Sequence, residues 1–199
     1  AIHSEFIGYD LLESEGIIDE LASEEALIEK ASVGDMVYVV TAQTPFYAES
    51  GGQAGDNGYI VTETGKMQVS NTTKVVGSKI AHSGKVVEGT LSKGQKARFL
   101  VNTPDRMDTA RNHSATHLLQ KALREAVGGH IEQAGSNVNK DRLRFDYTHF
   151  EALTTEQIRQ VEEKVNQKIL ESLSIVIKET SIDEARKLGA MALFGEKYG

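Results

Sequence analysis

Two imidazoles stand four residues apart in His113-Ser-Ala-Thr-His117. On a helix, positions i and i+4 lie about 40° apart around the axis, so both rings project from one face. Nitrogen donors at that spacing suit a tetrahedral zinc ion. The metalloprotease pattern is excluded, because it needs a glutamate directly after the first histidine and Ser114 stands there. A zinc site needs at least three protein ligands, and the chain has no cysteine. The other donors are His3, His82, His130, His149 and the carboxylates, and no local spacing nominates one of them. By themselves, two histidines four apart are more often a solvated polar pair than a metal site.

Two further segments have the composition of a site. Thr44-Pro-Phe-Tyr-Ala-Glu-Ser-Gly-Gly-Gln-Ala-Gly-Asp56 places three glycines within five residues. Such a run permits positive φ and the close approach of a partner, or simply a sharp turn in a barrel. Gln133-Ala-Gly-Ser136 puts polar side chains around one glycine, which alone reads as a loop.

The histidine pair requires a helix under it. Asp108–Val127 carries Ala115, Leu118, Leu119, Ala122 and Ala126 at helical spacing, and Gly128-Gly129 stops the pattern. The apolar seam lies roughly opposite the histidines, so the helix can bury one side and aim the imidazoles at a cleft. Leu143, Phe145 and Tyr147 alternate with polar residues as a half-buried strand. Thr154 and Gln157 form a capping box, with Leu153 able to staple onto Ile158, and Ile158, Val161, Val165 and Ile169 continue that helix face. Ser174–Thr180 reads as a strand. Ser181 and Glu184 open a third helix that ends at Gly189.

The first half has another texture. Met36–Thr41, Tyr59–Thr62, Met67–Val69, Val75–Val76, Lys79–Ala81 and Lys96–Val101 read as strands. Asn57-Gly58, Thr64-Gly65, Ser83-Gly84 and Lys93-Gly94 are turn candidates between them. Short strands at this spacing suggest a small barrel. Ser23–Ala31 begins like a short helix. The expected division is an acidic lead-in and β-barrel over residues 1–103 and an α/β or α+β domain over 104–199, with Pro104 at the join.

Composition narrows the class. The 199 residues are enough for a core without staples, and no run approaches the 18 apolar residues of a membrane span. No signal peptide is visible, and the chain starts at Ala1 without an initiator methionine, as an excised piece would. The absence of cysteine fits a reducing cytoplasm. The net charge is −7, which argues weakly against nucleic acid. Residues 1–35, however, hold ten acidic side chains and one basic one, whereas the rest holds nineteen and twenty-one. The remainder can meet a phosphate backbone locally.

Taken together, the segments resemble the alanyl-tRNA synthetase family. TPFYAESGGQAGD at 44–56 is similar to its glycine-rich motif and RNHSATHLLQKALRE at 111–125 to its histidine motif. QAGSNV at 133–138, RLRFDY at 142–147 and ALFGEKYG at 192–199 follow in the family's order, and Phe6-Ile-Gly-Tyr9 resembles the start of the same region. The resemblance implies an α+β fold, a small N-terminal β-barrel followed by an α/β two-layer sandwich. It implies an editing domain that hydrolyses tRNA-Ala mischarged with serine or glycine. It implies His113 and His117 as zinc ligands, and Thr116, Gln133 and Ser136 as residues of the editing pocket. ATP would belong only to the parent synthetase's catalytic domain. The family completes its zinc site from a Cys-Gly-Gly-Thr-His motif shortly after ALFGEKYG, so the other two ligands are expected beyond residue 199. Two other classes remain in view. A freestanding deacylase usually carries a proline soon after the Phe-Tyr pair, where this chain has Ala48-Glu49-Ser50. A catalytically silent RNA-binding module would use the barrel to contact tRNA.

Overall fold

A computed structural model describes residues 2–176, 178 and 180–189. Its elements run β1 (Glu5–Phe6), β2 (Glu13–Ile17), β3 (Glu20–Ala22), β4 (Lys30–Ser32), β5 (Met36–Val40), β6 (Gln43–Thr44), β7 (Gly58–Thr62), β8 (Gly65–Val75), β9 (Lys79–Ser92) and β10 (Lys96–Val101). Then come α1 (Thr103–Ala126), β11 (Gln133–Val138), β12 (Leu143–Tyr147), α2 (Thr155–Leu170) and α3 (Ile182–Lys187). The fold is mixed α and β, with strands dominant. The chain forms two compact units: Ala1–Arg111 with Val138–Arg142, and Asn112–Asn137 with the described residues from Leu143 onward.

The first unit is built on an eight-stranded sheet in the order β2-β10-β7-β8-β9-β5-β3, with β4 also pairing β9. Strand alternation selects its core. Val37 and Val39, Ile60, Met67 and Val69, and Ala97, Phe99 and Val101 point inward, joined by Phe46, Leu21 and Ile18. The outermost strands, β2 and β3, are separated in sequence only by Ile18 and Asp19. The Ile18 amide donates to Gln95 O beside β10, and the Asp19 amide donates to Val40 O on β5, each at 2.9 Å. The two ends of the sheet are therefore drawn together, and the sheet curls into a half-barrel.

Several expected boundaries move. Ser23–Ala31 is not a helix. Ser23 Oγ accepts the amides of Glu25 and Ala26 at 3.3 and 3.2 Å, closing a local turn, and the chain goes directly into β4. A serine before acidic residues caps a turn as readily as a helix when no apolar period follows. Met67–Val69, Val75 and Lys79–Ala81 belong to two long strands, β8 and β9, that continue through the polar run Ser70–Thr73. Val76 lies in the turn between them rather than in a strand, with Gly77 and Ser78 at φ 82° and 58°. Ser83-Gly84 is not a turn but the middle of β9. A Cβ on Gly84 would stand 1.9 Å from Gln68 O, so the glycine is there to let β8 pass close by.

Helix α1, whose first turns belong to the first unit and whose remainder belongs to the second, starts at Thr103, five residues before its expected start. Asn102 Oδ1 accepts the Asp105 amide at 3.3 Å, and Pro104 sits in the first turn, where a missing N–H has no helical partner to lose. The capping box of α2 is complete: Gln157 N donates to Thr154 Oγ1, and Thr154 N donates to Gln157 Oε1. Ala122, Leu123, Ile131 and Val161 form the core, with Leu119, Phe145, Tyr147, Leu153 and Val165 packed against it. Ile158 and Ile169, expected on the same face of α2, are about half exposed. Of the expected strand Ser174–Thr180, residues 177 and 179 lie outside the described residues; 174–176, 178 and 180 form no strand and find no ladder to join among the described residues. Ser181 Oγ accepts the Glu184 amide at 3.3 Å as α3 begins, and Gly189 beyond it has φ 79°. The ALFGEKYG motif at 192–199 lies outside the described residues.

Candidate active-site helix

Helix α1 positions the histidine pair. The His113 and His117 rings stack with centroids 5.0 Å apart and planes at 27°, as i and i+4 side chains on one face do. Burial, and then the neighbouring His117, hold the His113 imidazole below its usual pKa. Both effects favour the neutral imidazole, the form that ligates a metal. Among the described residues no three His, Cys, Asp or Glu side chains gather into a metal-binding group. The pair supplies two donors of the right kind and does not close a site alone.

The buried side of α1 is shifted from its expected seam. Ala122 and Leu123 are buried, while Ala115 and Leu118 are only half-buried. Thr116 and Gln120 are buried as well. Thr116 satisfies its hydroxyl locally by donating to Asn112 O at 2.8 Å. The oxygen's acceptor lone pairs and the methyl remain to meet another group.

Gln133 and Ser136 fall on strand β11, not on a loop. Being three apart, they lie on opposite faces of the strand. A Cβ at Gly135 between them would approach Asp146 Oδ2 to 3.1 Å. All five residues singled out from the sequence, His113, Thr116, His117, Gln133 and Ser136, belong to the segment Asn112–Asn137 of the second unit.

The glycine-rich run belongs to the first unit. Ser50 and Gln53 exchange backbone hydrogen bonds around Gly51 and Gly52, whose φ values are 58° and 81°. This is a two-residue hairpin of the type that needs positive φ at both corners. Gly52 O accepts the Val138 amide, and Val138 O accepts the Ala54 amide, at 2.8 and 2.9 Å. The run ends at buried Asp56, which takes the Tyr47 amide at 2.7 Å and the guanidinium of Arg106. Arg106 also donates to Gly8 O and Pro45 O at 2.8 and 2.7 Å. One buried cation thus ties the Phe6–Tyr9 segment, the glycine-rich run and the first turns of α1 together.

Sequence reasoning missed three arrangements. One is Asp56–Arg106. Another is His82, wholly buried, with Nδ1 2.8 Å from Val39 O and Nε2 2.7 Å from Thr44 Oγ1. The third is His130 Nε2 against His149 Nδ1 at 2.9 Å, with Phe150 stacked on the first ring and tilted against the second. The partners are 50, 38 and 19 residues apart, so no local spacing could pair them.

The family model for tRNA synthetases class II (A) matches residues 1–105. The chain belongs to that family. This class II synthetase chain is 49% identical over 199 residues to the alanine–tRNA ligase of Acetivibrio thermocellus. It is 48% identical over 198 residues to the enzyme of that name in Clostridioides difficile and 46% to that in Oceanobacillus iheyensis. Each match takes in the whole of this chain but only 22–23% of the relative, so the synthetase chain spans less than a quarter of the length of these curated relatives. The family model covers the strands of the half-barrel, and the pairwise identities extend across the histidine helix. Among the described residues, no helix of this synthetase chain is long and apolar enough to cross a membrane.

Proposed function

We propose that this chain carries the editing site of an alanyl-tRNA synthetase and hydrolyses the seryl or glycyl ester of tRNA-Ala. The observation that carries the reading is the His113–His117 face of α1, with buried Thr116 one residue before the second histidine. It occurs in a chain 46–49% identical, end to end, to alanine–tRNA ligases. On this reading the first unit is the family's small β-barrel and the second belongs to an α/β two-layer sandwich. The activity is needed because an aminoacylation pocket sized for a methyl group cannot exclude glycine. One methylene is worth only about 1–3 kcal/mol of discrimination, so the wrong ester must be removed afterwards.

Each residue has a role in this reading. His113 and His117 would hold zinc, with further ligands supplied from outside the described residues; a bound zinc polarises an ester or a water as a Lewis acid. Thr116 borders the amino-acid side chain. Its O–H is committed to Asn112 O, so it meets the substrate with its methyl and as an acceptor. Gln133 and Ser136, both on β11, would supply hydrogen bonds to the substrate. In the reaction a water oxygen bonds to the ester carbonyl carbon, the carbon–ribose oxygen bond breaks, and the ribose oxygen takes back a proton.

The test is deacylation of seryl-, glycyl- and alanyl-tRNA-Ala by a protein extended to include a Cys-Gly-Gly-Thr-His motif after residue 199. His117→Ala should lower the rates for the misacylated esters together, by about 100-fold or more, along with bound zinc. Thr116→Val keeps the volume and should change the ratio among esters more than it changes folding. Full activity and full zinc in His117→Ala would reject this helix as the reactive face and favour the RNA-binding alternative.

A further inference from the structure

Three rings gather at the mouth of the β11–β12 hairpin, on residues to which the editing reading gives no role. His130 follows α1, and His149 and Phe150 follow β12. The His130 and His149 rings lie 5.1 Å apart with planes at 28°. Phe150 stacks at 5.5 Å and 24° on the first and lies tilted, at 4.6 Å and 43°, against the second. The Nε2–Nδ1 hydrogen bond of 2.9 Å fixes the two imidazoles to each other. His149 Nε2 is shut away from solvent without a partner among the described residues, so that ring presents a flat face and not a polar edge. Phe150, by contrast, is 82% exposed. A phenyl ring held open to water on a rigid imidazole support has the form of a stacking platform.

A cation stands next to it. Arg124 donates one N–H to Ile131 O at 3.3 Å, which places its guanidinium beside the residue that follows His130. Among the described residues Arg124 has no carboxylate partner. Glu132 and Glu151 flank the rings in sequence, so attraction for phosphate at this spot rests on Arg124.

We propose that His130, His149 and Phe150 stack an unpaired base of a bound RNA, with Arg124 on the adjoining phosphate. The inference rests on the tRNA reading above and gives that substrate a contact apart from its ester. Unpaired bases stack on aromatic faces irrespective of sequence, whereas a paired stem offers no free base face. The occupant is therefore a single-stranded end or loop.

The chain has no tryptophan, so Phe150→Trp installs a single fluorescent reporter on the platform. Titration with an uncharged tRNA transcript bearing an unpaired 3′ end should quench it saturably, and a fully paired RNA of equal length should not. Phe150→Ala should weaken tRNA binding by about 10-fold, and Phe150→Trp should retain it. Arg124→Gln should reduce the slope of log affinity against log salt by about one. Unchanged emission, or native affinity in Phe150→Ala, overturns the proposal. So does a reporter already protected from acrylamide in the extended synthetase before RNA is added, since polypeptide then covers the rings. Failure of the editing reading is distinct: deacylation by the extended protein is scored on His117→Ala, and it survives if only the platform is wrong.

Discussion

His82 shows how strongly one side chain can depend on its surroundings. Val39 O can only accept, so Nδ1 carries the proton. Thr44 then donates to Nε2, and Thr44 Oγ1 in turn accepts the Phe46 amide at 3.1 Å. The edge of Phe46 and the ring of Phe99 enclose the imidazole at 5.0 and 5.6 Å. Burial lowers its pKa from 6.5 to about 4 against the smaller opposing effect of Val39 O. Between those values the unfolded chain takes up a proton that the folded chain refuses. Stability from this residue is complete above pH 6.5 and falls as the pH drops toward 4. The whole loss is about 3 kcal/mol, and about 1 kcal/mol of it arrives by pH 5.5, before most carboxylates titrate. Urea unfolding at pH 7 and pH 5.5 measures it; equal free energies would mean that the ring is not held neutral. A second residue-scale expectation concerns Arg106. Its removal leaves Asp56 buried and unpaired, so Arg106→Ala should destabilise by about 3–5 kcal/mol in the same assay. Neither residue announced itself in the sequence. The histidine pair on α1 did, because helical periodicity puts His113 and His117 on one face whatever the rest of the fold does.

At the scale of elements, the signals that could be read were those completed within a few residues. The Thr154–Gln157 box closed as its spacing required, and so did the strand alternation of Met36–Val40 and Lys96–Val101. Ser23 gave a similar signal and capped a turn, since nothing apolar followed to bury a helix. The long pair β8–β9 was the least legible element. Ser70–Thr73 is polar, and its place in a strand is set by cross-strand partners: Asn71 pairs with Ser83 and Thr72 with His82. Gly84 reads as a turn residue until Gln68 is known to pass beside it. The irregular register between Val69 and Asn71 on β8 lies next to that crossing. Gly84→Ala must push backbone against backbone, so it should destabilise by about 3 kcal/mol, the upper end for overpacking. A thermal or denaturant melt reads this directly. A stability loss under 0.5 kcal/mol would show that the strands can part at little expense.

For the whole molecule, folding and metal are expected to be separable. The apolar clusters of the half-barrel and of the smaller core around Leu123 and Val161 include neither His113 nor His117. The chain should melt cooperatively after chelation and bind zinc weakly or not at all, because among the described residues no three possible ligands gather in one place. Melting with and without chelator, together with metal content after dialysis, checks both parts; tightly held stoichiometric zinc would reveal ligands outside the described residues. The path of the chain also limits how the molecule can be dissected. Helix α1 changes compact unit between Arg111 and Asn112, and Val138–Arg142 returns to the first unit before the chain rejoins the second. Lys140 holds that return by donating to Asp105 at 3.1 Å. No single cut therefore separates the units. A gene piece ending at residue 111 stops inside a helix and lacks the strand end that pairs with the glycine hairpin. One starting at residue 112 keeps that strand end without its mate. For cloning, limited proteolysis or domain grafting, the smallest transferable cassette includes both units, and an exchange between homologues would have to move them as one block.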